Sequence, residues 1–172
     1  RERPGVSPLF GGLTLYPEGM ADTQGTIFGV DVSHHQETLD VSILKPSGIQ
    51  FVIARTAQVK GGKYGTTMDR AYAKHKANAA KVGMLFSSYL YLGDGETAAR
   101  NVAIHAQAEP DRNVPVALDC EEGSGSIAFF RECVAAFQAA GYYVWGSYVP
   151  RWYWQALGSQ SLDGLPVLWS SR

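Results

Sequence analysis

Cysteine is scarce in this sequence. Only Cys120 and Cys133 occur in 172 residues, and no C-x-x-C pair is present. That excludes a disulfide framework and a cysteine-built zinc site, and leaves two small buried apolar side chains as the reading. Charge of one sign is also lacking. Lys and Arg number 15, Asp and Glu 16, and the net charge is -1. No broad positive field exists to hold nucleic acid. No apolar run approaches the ~20 residues that span a bilayer, so membrane insertion is not expected. The nucleotide-binding patterns G-x-x-x-x-G-K-[ST] and G-x-G-x-x-G are missing, as is the serine-hydrolase pattern G-x-S-x-G. No secretory leader pattern opens the chain. It starts at Arg1 rather than Met, so we expect a piece of a longer, modular protein.

What is present is core-forming. Hydrophobic residues make up 45% and aromatics 12%, which excludes a mainly disordered chain. The length suits one domain. Residues 1–26 stand apart, with Pro4, Pro8, Pro17, a scatter of glycines and no periodicity. They read as a linker or N-terminal extension, and residues 27–172 as the domain.

From Ile27 onward, strand signals alternate with helix signals. Short runs rich in β-branched and aromatic residues predict strands over 27–33, 51–57, 84–92, 114–120, 142–149 and 166–171. Helices are predicted over 67–82, 97–108 and 126–140, ended by Gly83, Pro110 and Gly141, with short helices over 40–45 and 151–157. This alternation implies parallel strands joined by crossovers, in a barrel or in an open doubly wound sheet.

Chemistry in such folds gathers at the carboxyl ends of the strands. Asp31 lies late in the first predicted strand, on a face with Gly29 and Ser33, while Phe28, Val30 and Val32 take the apolar face. Asp119 and Glu121 end the fourth. Their spacing of two puts both carboxylates on one face, roughly 6.5–7 Å apart at Cα, and turns Cys120 towards the helices. Two close carboxylates resist joint ionisation, so one keeps its proton to higher pH. One donor and one anion are what cleavage of a glycosidic bond requires. The plainer reading is an acidic turn at a strand end, with Glu122 a solvated charge.

His34 and His35 follow Asp31, but no third well-spaced ligand accompanies them, so no metal is expected. His75 and His105 fall on predicted helices and read as surface residues. Aromatics crowd the later strands. Their faces stack on sugar rings or fill the core, and Tyr148 and Trp169, late in their strands, are the candidates for a cleft. Arg55, late in the second strand, is a candidate counter-charge to the acids.

These residues resemble the family 25 glycoside hydrolases, the Chalaropsis-type lysozymes or muramidases. Gly29-Val30-Asp31-Val32-Ser33-His34-His35-Gln36 is similar to that family's opening G-[IV]-D-V-S-x-x-Q. Gly48 to Arg55 resembles its second strand, Leu118-Asp119-Cys120-Glu121 its L-D-x-E strand, and Pro166-Val167-Leu168-Trp169 its P-x-x-W segment. The resemblance implies an α/β fold, an irregular TIM-like β/α barrel in a single domain. It implies cleavage of the β-1,4 bond from N-acetylmuramic acid to N-acetylglucosamine in peptidoglycan, with no cofactor. Glu121 is then the proton donor, and Asp119 the second acid, either a nucleophile or a group that orients the substrate acetamide. Asp31 completes the acidic cluster. Tyr89, Tyr148, Trp169, Arg55 and His35 are the expected substrate contacts.

The chain departs from the family pattern at His35, where Trp is common, at Gln58, where Glu is common, and over Ser88-Tyr89-Leu90-Tyr91, where a Tyr-His pair is common. It also stops at Arg172, just past the sixth predicted strand, whereas a closed barrel of this type has eight. The expectation is therefore a barrel truncated at its C-terminal end. A monomeric muramidase from a phage endolysin, acting on the bacterial cell wall, is the leading reading. The rivals are a non-catalytic peptidoglycan-binding barrel, a metal-dependent carbohydrate deacetylase using Asp31 with His34 or His35, and a barrel hydrolase acting on another glycan such as chitin.

Overall fold

The structure, a computed structural model, describes residues 27–59 and 65–169. Strand β1 (Phe28–Val32) leads through two 3-10 turns (His34–Gln36 and Val41–Ser47) into β2 (Ile49–Gln58). A two-residue strand β3 (Thr67–Met68) folds back on β2 before α1 (Tyr72–Lys81). Then come β4 (Leu85–Tyr91), α2 (Ala98–Ala108), β5 (Val116–Asp119), α3 (Ile127–Ala139), β6 (Val144–Tyr148), α4 (Arg151–Ala156) and β7 (Val167–Trp169).

Apart from β3, every strand pairs in parallel with its neighbour in the order β1-β2-β4-β5-β6-β7. The order never reverses. A doubly wound sheet needs a reversal point, so this is the barrel-like progression. The long helices all pack one face of the sheet. Leu90, Val116, Leu118 and Cys120 meet Ile104 from α2 and Phe130, Cys133 and Phe137 from α3 in one buried cluster. Val32, Val52 and Ala54 meet Tyr72 and Ala79 from α1 in a second. The opposite, inner face carries a small third cluster of Ile53, Tyr89 and Ala117, with Phe51 and Trp145 against it. Trp145 Nε1 donates to Ser87 Oγ at 2.6 Å, which settles the polar end of the indole inside this layer.

Helix starts follow local chemistry. Thr97 and Ser126 cap α2 and α3 by accepting from the backbone N–H of Arg100 and Phe129. Gly141, with φ +85°, takes the left-handed conformation that ends α3.

Three expectations are corrected. The helix predicted over 67–82 begins only at Tyr72. Thr67 and Met68 pair with Gln58 and Ala57 instead, and Asp69 turns the chain by accepting from Ala71 N–H at 3.0 Å. His75 and His105 are not surface residues; both are 0% exposed. His75 Nε2 bonds the Ser33 carbonyl at 3.2 Å, and His105 Nδ1 bonds Thr56 Oγ1 at 3.0 Å. Burial pushes His105 down to about 3, so it is neutral and packs edge-on against Phe137 and Tyr142. Phe28, placed on the apolar face, is 64% exposed: it is the first residue of β1, the edge strand of the sheet, and lies beyond the helix-side cluster. The prediction that placed residues 1–26 as a linker lies outside the described residues.

The tail of β4 turns at Gly93, whose backbone amide bonds the Asn101 side chain. A β-carbon there would collide with the Val59 carbonyl. Gly93→Ala is therefore expected to destabilise the fold by about 1–3 kcal/mol, read as a lower midpoint in urea unfolding.

Candidate active site

The inner-face residues of consecutive strands climb to one rim. Asp31 pairs in register with Ile53, and Tyr91 with Asp119, which in turn pairs with Tyr148 and through it with Trp169. Asp31, Asp119 and Tyr148 thus stand at the carboxyl ends of their strands, with Glu121 just past β5.

Asp119 is buried, and Glu121 is half-buried beside it. Their side chains lie close enough to share a hydrogen bond once one of them is protonated. Burial, and then the neighbouring Glu121 charge, push Asp119 well above the usual carboxylate range. Asp31 adds to that push and Arg55 opposes it. Burial raises Glu121 as well, while its bond to Asp119 pulls it back. The pair therefore holds one proton at a pH where isolated carboxyls have lost theirs. Asp119 Oδ1 is buried and accepts no hydrogen bond among the described residues.

The turn that carries Glu121 is fastened from three directions. Ser124 Oγ accepts from Glu121 N–H at 3.0 Å and donates to the Leu92 carbonyl at 2.8 Å. Tyr91 OH donates to the Glu122 carbonyl at 2.7 Å, and Tyr153 OH to the Gly125 carbonyl at 2.8 Å. Gly123 and Gly125 supply the positive φ values of +85° and +80° that the turn needs.

The other expected contacts are distributed as follows. Arg55 is buried; its Nε donates to Asp69 Oδ2 at 2.9 Å, and its Nη2 lies 2.5 Å from His34 Nδ1. Tyr89 is 8% exposed and belongs to the inner-face cluster. Tyr148 is half-buried, and His35 is exposed with its ring 4.1 Å from that of His34. Trp169 ends β7, and its side chain lies outside the described residues. Sequence reasoning missed Asp69 and Ser124. Ser124 had a local signal, the S/T that closes a short turn behind a strand-end acid. Asp69 had none for its tertiary role: apart from its own turn to Ala71, its partners His34 and Arg55 come from distant parts of the chain.

The His34 ring is engaged by Asp69 and Arg55, and among the described residues no three His, Cys, Asp or Glu side chains converge as a metal site would require. The family model for glycosyl hydrolases family 25 matches residues 30–169. The chain belongs to this family. Its fold is similar to those of several solved structures. The muramidases of Trichobolus zukalii and Acremonium alcalophilum are each 20% identical, with a TM-score of 0.69 over 86% of this chain and 77% of theirs. The catalytic domain of endolysin ply40 from bacteriophage P40 of Listeria monocytogenes is 23% identical, with a TM-score of 0.63 over 86% of this chain and 75% of that one. No curated protein matches the chain in sequence.

An acid whose folded value is raised costs stability once pH exceeds its unfolded value, because the unfolded chain ionises freely and the folded one resists. Asp119 is in that position at neutral pH. Asp119→Asn is expected to raise stability at pH 7 by about 0.5–2 kcal/mol while removing most activity. Thermal melts at pH 7 and pH 4 check the sign: the gain should shrink at the lower pH.

Proposed function

We propose that this domain hydrolyses the β-1,4 bond between N-acetylmuramic acid and N-acetylglucosamine in peptidoglycan. The observation that carries this reading is the placement of buried Asp119 and half-buried Glu121 side by side at the end of β5, on the inner rim of a family 25 fold. Glu121, the more exposed of the two, is the proton donor to the bridging oxygen. Retaining enzymes with a protein nucleophile hold their carboxyls about 5–5.5 Å apart on either side of the bond, and the close approach of Asp119 to Glu121 favours instead a carboxylate that orients the substrate. As substrate binds, the shared proton passes from Asp119 to Glu121, and the Asp119 carboxylate then accepts the N–H of the substrate acetamide at Oδ1. The acetamide oxygen then attacks the anomeric carbon as the C–O bond breaks and Glu121 protonates the leaving oxygen. Water opens the resulting ring, with Glu121 taking back a proton, and the anomeric configuration is retained.

Likeness to an endolysin catalytic domain supports a further reading, in which the domain works as a monomer within a modular phage lytic protein. Size-exclusion chromatography with light scattering reads the monomer directly.

Glu121→Gln is expected to lower turnover of purified cell walls by about 10²–10⁴-fold with an unchanged melting profile. Mass spectrometry of wild-type digests should show new reducing ends on muramic acid. Ends on glucosamine, or full activity in Glu121→Gln, would overturn the assignment.

A further inference from the structure

Three parts of the fold meet at one buried carboxylate outside the acid pair. Asp69 follows β3, and its side chain is 0% exposed. Oδ2 accepts from Arg55 Nε at 2.9 Å and from the His34 backbone N–H at 2.9 Å. Oδ1 accepts from Ala71 N–H at 3.0 Å, and the Asp69 backbone N–H donates to the Thr56 carbonyl at 2.9 Å. One side chain therefore ties together the turn behind Asp31, the inner face of β2 and the start of α1. Its donors hold it ionised, below the usual carboxylate range, even against burial.

We propose that Asp69 is a positioning residue for the catalytic pair, holding the Arg55 guanidinium fixed between itself and His34 on the inner face, where Arg55 shares a rung with Tyr89 and Ala117, one rung below Asp119. The need for such a device follows from the surroundings. The register brings the neighbouring groups to the same face: Asp31 of β1 pairs with Ile53, Arg55 of β2 with Tyr89, Tyr89 with Ala117, Tyr91 of β4 with Asp119, and Asp119 with Tyr148 of β6. Asp69 itself is faced by His34, Arg55, Arg70 and Tyr89. Among the described groups acting on Asp119, Arg55 is the cation; the others are acidic. An arginine on a flexible stem has many rotamers, and a buried bond at Nε fixes the plane of its fork. Without Asp69, the buried guanidinium loses its anion and moves towards water.

Two outcomes for the pair can be separated by sign. If Asp69 positions Arg55, its loss removes the cation from Asp119 and the pair's pKa values rise. If Asp69 is only a nearby negative charge, its loss lets them fall. The inference draws its meaning from the proposed function, but its test does not need turnover. Carbon-13 carboxyl titrations by NMR would compare wild type, R55Q, D69N and R55Q/D69N. R55Q is expected to raise the pair's apparent pKa values by about one pH unit or more. D69N should raise them by a similar amount, and the double variant no further. A downward shift in D69N would overturn the proposal, as would unchanged values accompanied only by a lower melting temperature. Should D69N fail to fold, R55K decides, since an ammonium keeps the charge but lacks the fork that bonds Asp69 and His34 together. An upward shift supports positioning, and an unchanged titration overturns it. If wild type releases no reducing ends from peptidoglycan, the muramidase reading fails, and the titration still judges Asp69.

Discussion

The neighbouring carboxyls of Asp119 and Glu121, one buried and both resisting ionisation, are the constraint on which the rest of the site depends. Asp119 is buried deeply enough to resist ionisation, and Glu121 sits where a substrate can reach it. Moving Asp119 into water would let both ionise, and the donor would be lost at neutral pH. The fold maintains the contact with backbone geometry. The Asp119 carbonyl accepts from Leu92 N–H at 2.9 Å, and Cys120 N–H donates to the Tyr148 carbonyl at 2.8 Å. The ladder therefore continues past the last strand residue on both sides of β5, and the acids inherit its rigidity.

The alternation of side chains along a strand made much of this legible. Asp119 and Glu121 were assigned to one face and Cys120 to the other on spacing alone, and Cys120 does lie in the helix-side cluster. Helix starts at Thr97 and Ser126 were legible too, because capping is a contact within four residues. The strand order was not. Local patterns allowed both a barrel and a doubly wound sheet, and only the pairing of each strand with its predecessor decides between them.

What stayed hidden depends on tertiary partners. The Ala- and Lys-rich run after Arg70 reads as helix, and nothing local marks Asp69 as the residue that stops it and reaches back to Arg55 across 14 positions. His75 and His105 looked like surface residues because helix composition does not say which face packs inward. Their carbonyl and hydroxyl partners lie 42 and 49 positions away. Buried polar groups of this kind are specified by the whole fold, and short windows do not carry that information.

The layer of Phe51, Ile53, Tyr89, Ala117 and Trp145 beneath the acids has an electrostatic consequence. It gives the inner face a packed base one rung below Asp119, since Tyr89 pairs with Ala117 and Tyr91 with Asp119. Any side chain lost from that base would leave the buried carboxyl over a void, so the acidity of the rim is inherited from an apolar layer that takes no part in the chemistry.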